Sequence, residues 1–102
     1  MIVERRTFYC KVGKAGQASE LAKEFLRVAR EVGYVTGRAR LYTDLMGKTD
    51  RVVWEGELDS FINPREAERK FFGHPDAERL FGQMAELIEG AEAEYFTLEH
   101  SD

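Results

Sequence analysis

Apolar and polar positions along the chain fall into six periodic runs. Ile2 to Val12 alternates with a period of two, and the even positions Phe8, Cys10 and Val12 are more apolar than Arg5, Thr7 and Lys11, which predicts a strand with its even side turned to a core. Beyond Gly13 to Gly16, Ala18, Leu21, Ala22, Phe25, Val28, Ala29 and Val32 fall at the spacing of one helical face, with Lys23, Arg27, Arg30 and Glu31 opposite. Gly33 supplies a stop, because it takes the left-handed conformation without a Cβ penalty.

Two further alternating runs follow, Arg38 to Met46 and Arg51 to Leu58, joined by the polar turn Gly47-Lys48-Thr49-Asp50. The first sets Ala39, Leu41, Thr43 and Leu45 against Arg38, Arg40, Tyr42 and Asp44. The second sets Val52, Trp54, Gly56 and Leu58 against Arg51, Val53, Glu55 and Glu57. Asn63-Pro64-Arg65-Glu66 combines a capping residue, a proline at the first helical position and a glutamate three after the cap, and so starts a second helix. Gly73-His74-Pro75-Asp76 predicts a kink or a division of that helix into two pieces. The second piece carries Leu80, Phe81, Met84, Leu87 and Ile88 to a stop near Gly90, and Ala91 to His100 forms a last strand. Its facing is ambiguous; the expectation is that Phe96 and Leu98 turn to the helices and Ala93, Tyr95 and Thr97 away.

The order β-α-β-β-α-β defines an α+β, ferredoxin-like domain over residues 1–102: two helices on one face of a four-stranded antiparallel sheet, and the other face bare. The bare face collects Val3, Arg5, Thr7, Tyr9, Arg38, Arg40, Tyr42, Asp44, Arg51, Val53, Glu55, Glu57, Tyr95 and Thr97. Rings and β-branched residues interleaved with paired charges suit a partly enclosed surface, and a second copy is the commonest cover, so a homodimer is expected.

With 102 residues, 43% of them hydrophobic and 33% charged, and no apolar run near the ~20 residues of a membrane span, the chain reads as a soluble protein without membrane contact. An N-terminus that enters a strand directly lacks a secretory signal and gives a cytoplasmic expectation. Cys10 is the only cysteine, which excludes an intrachain disulfide. Charge is divided by sign: residues 1–51 hold eleven Lys and Arg against six Asp and Glu, residues 52–102 four against thirteen. Because the elements interleave in space, that division predicts internal and inter-subunit ion pairs rather than one basic surface. RNA recognition shares the element order but is rejected on the net charge of −4 and the lack of an aromatic signature in the central strands. Nucleic acid is therefore no expected partner.

Ile2-Val3-Glu4-Arg5-Arg6-Thr7-Phe8, Val12-Gly13-Lys14 before a helix, and Val53-Trp54-Glu55 leading through Leu58-Asp59-Ser60 resemble the NIPSNAP-like members of the dimeric α/β-barrel superfamily over nearly the whole chain. The resemblance implies a sheet-to-sheet dimer with a chamber between sheet and helices. It implies no single activity, since the superfamily also holds monooxygenases of antibiotic biosynthesis, haem-degrading enzymes, muconolactone isomerases and stress-responsive proteins. Gly56 departs from the bulkier residue that relatives carry after Trp-Glu, and either enlarges a pocket or relieves crowding.

Tyr9, Arg40, Tyr42, Glu55 and Tyr95 form the candidate ligand-binding set, since phenols and an arginine orient an enolate or carboxylate and Glu55 can take a proton. The competing reading makes them cross-strand or cross-dimer pairs, Arg40 with Glu55 first. His74 joins the set if it faces the chamber, where Phe71 and Phe72 would give apolar walls; otherwise it caps a loop. Trp54 is assigned to the core, Cys10 to a buried unreactive site and Gly13 to Gly16 to a turn. No cofactor is implied, and the two histidines have no metal-ligand spacing. The expected function is binding of a small organic molecule in the chamber, with a cofactor-independent monooxygenase- or isomerase-like enzyme acting on aromatic or lactone-like compounds, or a structural dimer module, as alternatives.

Overall fold

The computed structural model describes residues 1–47 and 49–102. The chain runs β1 (Ile2–Cys10), α1 (Ala15–Glu31), β2 (Ala39–Thr43), β3 (Arg51–Leu58), α2 (Pro64–Phe72), α3 (Ala77–Leu87) and β4 (Ile88–Thr97). The strands form one antiparallel sheet in the order β2-β3-β1-β4. The helices lie on one side of it, and an overall thickness of 18 Å leaves room for two layers and no third. No helix among the described residues is long and apolar enough to cross a membrane.

Ala18, Ala22, Phe25, Val28 and Ala29 are the buried stripe of α1, and they pack on Phe8, Cys10, Val52, Trp54 and Leu58 of the sheet, with Leu80 and Met84 from α3. The even side of β1 therefore faces the helices, as its alternation predicts. Gly33, at φ +79°, ends α1 and turns the chain so that the Tyr34 N–H reaches the Ala29 carbonyl at 2.9 Å. That turn buries Tyr34 and Val35 against the sheet. The predicted break of the second helix is a true division. Asn63 Oδ1 accepts the Glu66 N–H at 3.1 Å and starts α2, while His74 Nδ1 accepts the Asp76 N–H at 3.0 Å in the junction to α3.

The ends of the first two strands, both ends of the last, which stops at Thr97 and not His100, and one facing differ from the sequence pattern. The first strand stops at Cys10, leaving Val12 exposed. The second stops at Thr43, because the Asp44 carboxylate takes both the Arg51 N–H at 2.9 Å and its guanidinium at 2.8 Å, which closes the hairpin with side-chain bonds and leaves Leu45 96% exposed. Of the predicted turn, Lys48 lies outside the described residues. The last strand begins at Ile88 with no loop after α3, so Gly90 lies inside it, and a register shift at Tyr9/Cys10 absorbs the join. Its facing is the reverse of that expected: Tyr95 stands opposite Glu4 and Phe96 opposite Val3, so Tyr95 turns to the helices and Phe96 to the bare face.

Candidate functional site

Between the sheet and the helices lies a cavity of about 280 Å³. Its walls are aromatic: Phe8 and Trp54 from the sheet, Phe25 from α1, Phe71 from α2 and Phe81 from α3. Phe25, Phe71 and Phe81 touch one another with ring centres 5.3 Å apart, so one face of each helix contributes a ring to a single cluster. Ala29, Pro64 and Ala67 complete the apolar surface, and no residue of α2, which forms much of this roof, is fully buried.

The polar groups sit on the floor, apart from Glu68 of α2 on the roof. Glu4 is fully buried. Its Oε1 accepts from the Tyr34 hydroxyl and its Oε2 from Arg6 Nε at 3.2 Å. A carboxylate taken out of water is costly unless its oxygens are answered, and here a phenol and a guanidinium answer them. The Tyr34 phenol is pushed well above its ordinary value, by burial first and by its bond to Glu4 second, which fixes it as a donor. Tyr95 stands beside them and is pushed up by burial and then by the Glu4 charge. Arg6 also lies over the Trp54 ring, its guanidinium carbon 5.9 Å from the ring centre. The indole N–H of Trp54 is buried and meets no acceptor among the described residues. Gly56, two residues on, has its hydrogen where a Cβ would come within 2.9 Å of Trp54 Cζ3 and of Val35 Cγ2, so its small size seats the indole.

Of the residues proposed from sequence, Tyr95 alone lines this cavity. Tyr9, Arg40, Tyr42 and Glu55 are on the bare face. There Glu55 accepts from Arg5 Nη2 at 3.0 Å and from the Tyr42 hydroxyl at 2.7 Å, and Tyr42 first, then Arg5, hold its carboxyl below the ordinary value against the opposing effect of burial. Arg40 stands opposite Glu55 in register, yet it acts on Glu55 through charge, with no hydrogen bond between the two side chains. Tyr9 donates to Glu92. Tyr9, Tyr42 and Glu55 border a broad hollow of about 550 Å³ together with Leu45 and Met46. His74 is in neither place: it joins α1 to the α2–α3 junction, Nε2 lying 2.8 Å from Glu31 Oε1 while Nδ1 accepts the Asp76 N–H. Trp54 and Cys10 are buried, and burial raises the Cys10 thiol above its ordinary value, which keeps it protonated. Among the described residues, no three His, Cys, Asp or Glu side chains gather as metal ligands would.

The alternation passes over Glu4, Arg6 and Tyr34. The signal was parity: Glu4 and Arg6 share the even side of β1 with Phe8 and Cys10, and a charge on a core-facing position needs a partner. For Tyr34 it was the stop at Gly33, which returns the chain to the sheet.

No family model matches the chain, and no curated protein matches it. Solved structures do. A NIPSNAP domain protein from Burkholderia xenovorans superposes with a TM-score of 0.76 at 18% identity over 100% of both chains. A NIPSNAP family protein from Agrobacterium tumefaciens gives 0.74 at 20% identity over 94% of this chain and 90% of that one. An antibiotic biosynthesis monooxygenase gives 0.69 at 14% identity over 96% and 98%. The protein thus has the ferredoxin-like α+β fold of these structures, and the resemblance read from its sequence to NIPSNAP-like proteins is matched in its architecture.

Proposed function

We propose that the protein is a homodimer that binds small, mainly apolar molecules in the chamber between its sheet and its helices. The observation that carries this reading is the cavity itself: an aromatic-walled space of about 280 Å³ set over a buried Glu4–Tyr34–Arg6 cluster. Protein interiors are packed to crystal density, and a core with no other duty would fill the space and leave Glu4 apolar. The volume is at the small end of ligand pockets, which start near roughly 300 Å³, and so suits a compound of one or two rings.

The bare face supports the dimer. Arg40, Glu55, Arg5 and Glu94 lie side by side across β2, β3, β1 and β4, a row of alternating sign. Turned about a two-fold axis parallel to the strands, such a row sets every cation over an anion of its copy. Exposed Tyr42, Leu45, Met46 and Phe96 give the same surface an apolar share that water covers poorly.

Replacing Ala67 by Trp, on the roof, tests the chamber. Calorimetric titration with naphthalene should show saturable binding to the wild-type protein and none to Ala67→Trp at unchanged thermal stability. No saturable binding by the wild type contradicts the proposal. The likeness in fold to an antibiotic biosynthesis monooxygenase favours oxygenase chemistry as the second reading, for which a new product from a bound aromatic compound in air is the readout.

A further inference from the structure

We propose that the chamber selects an organic cation, an ammonium ion carrying apolar groups. This rests on the reading of the chamber as a small-molecule site and adds the charge of what enters it. The charges on the walls give the sign. Three charged side chains line the cavity, Glu4, Arg6 and Glu68. Arg6 is bonded to Glu4 through its Nε at 3.2 Å, so that pair sums to zero. Glu68 is left over, with no hydrogen bond and no ion pair among the described residues. It is exposed where Glu4 is sealed, which sets the unmatched charge on the solvent side of the roof.

Helix spacing turns that charge toward the space. Glu68 stands four residues after Pro64 and three before Phe71, on one face of α2, and both of those residues line the cavity. The bases of the same helix, Arg65, Arg69 and Lys70, are not among its walls. The rest of the lining favours the same sign. The face of an aromatic ring is the negative end of its quadrupole, and Phe8, Phe25, Trp54, Phe71 and Phe81 surround the space. Arg6 already lies over the Trp54 ring, 5.9 Å from its centre, so these walls hold one cation as they stand. On the floor each Glu4 oxygen accepts one hydrogen bond and keeps capacity for another. An anion would meet Glu68 and the ring faces, and would have to take Arg6 from Glu4 to be answered. A small bare cation would lose more hydration than the rings and one exposed carboxylate return, whereas an ammonium ion with an apolar surface is met by both.

Two probes that differ in one atom isolate the charge. Choline and 3,3-dimethylbutan-1-ol share a shape, with a nitrogen cation in the one where the other has a carbon, and 3,3-dimethylbutanoate puts the opposite charge on a similar skeleton. Titration calorimetry should find choline bound about tenfold tighter than the alcohol, the worth of one cation held over aromatic faces, and the butanoate bound more weakly than the alcohol. Ring currents should move the choline methyl protons upfield saturably in NMR spectra. Glu68→Gln, at an exposed position, should weaken choline about threefold, the scale of a screened charge contact, and leave the alcohol unchanged. Ala67→Trp should abolish choline binding, because the chamber is then filled. Choline bound no tighter than the alcohol, tightest binding of the butanoate, a choline affinity indifferent to Glu68→Gln, or choline binding that survives Ala67→Trp overturns the cation inference. Saturable binding of naphthalene by the wild type then keeps the chamber reading intact; failure of naphthalene and of all three probes overturns both.

Discussion

Glu4 and Glu55 are carboxylates on adjacent strands, and the pleat sends them to opposite sides of the sheet, where they meet different fates. Glu4 is sealed under the helices with a phenol and a guanidinium on its two oxygens, so its charge is matched locally and helps to shape a floor. Glu55 keeps partial contact with water and is held ionised by the Tyr42 hydroxyl and Arg5. The sign of its pH dependence follows from its lowered value. A carboxyl depressed by folding contributes fully above the ordinary carboxylate range, near about 4.3 for glutamate, and loses that contribution as pH falls through its own lower value. Glu55→Gln should therefore cost about 1 kcal/mol at pH 7, the scale of a charged hydrogen bond in a half-exposed setting, and the gap to the wild type should close on acidification below the ordinary range. Chemical denaturation at a series of pH values measures this; a gap that widens toward acid would contradict it.

At the scale of elements, α2 roofs the chamber with its Pro64, Ala67 and Phe71, packs Phe71 on Phe25 and Phe81, and is tied down at both ends. None of its residues is fully buried, its start is the Asn63 cap on Glu66, and its finish is tied through His74 to Glu31 of α1. Asn63→Ala removes the cap and should cost about 1 kcal/mol. Amide exchange should accelerate in 64–72 and leave α1 and the central strands protected, because the loss is local. Uniform acceleration across the chain would mean that α2 is integral to the core and not a separately held roof.

The legibility of the sequence divides along the same lines. Period and punctuation made the strands, α1, the capped start of α2 and the break at His74 readable, since each follows from local rules. Side-chain closure of the hairpin depends on one particular pair, Asp44 with Arg51, and the direct passage of α3 into β4 on pairing with the distant β1, and neither is written in a two-residue period. Tyr95 is a site residue on the side opposite to the one its alternation suggests: a strand reading Ala-Glu-Ala-Glu-Tyr-Phe offers apolar residues to both faces, and only pairing with β1 fixes the register. The chamber floor is hard to see in the sequence, since the two charges on the even side of β1 are outweighed by the apolar residues that follow them.

In the whole molecule the sheet separates two kinds of surface, a chamber under the helices and a bare face with paired charges and exposed apolar groups. The division of charge between the chain halves becomes spatial on that face: Arg40 lies on the β2 edge, with Arg38 just before that strand, and Glu92 and Glu94 on the β4 edge. Two copies related by a two-fold axis along the strands would place each edge over the opposite edge of the other, so that self-association uses the asymmetry in place of the repulsion a net charge of −4 would otherwise bring. Sedimentation velocity at micromolar concentration tests that cover directly. The wild type should sediment as a dimer; Arg40→Glu and Glu94→Arg should each shift it toward monomer by about tenfold in dissociation constant, and the double exchange should restore the dimer. A wild-type protein that remains monomeric throughout the micromolar range would contradict the claim that the bare face belongs to a second copy.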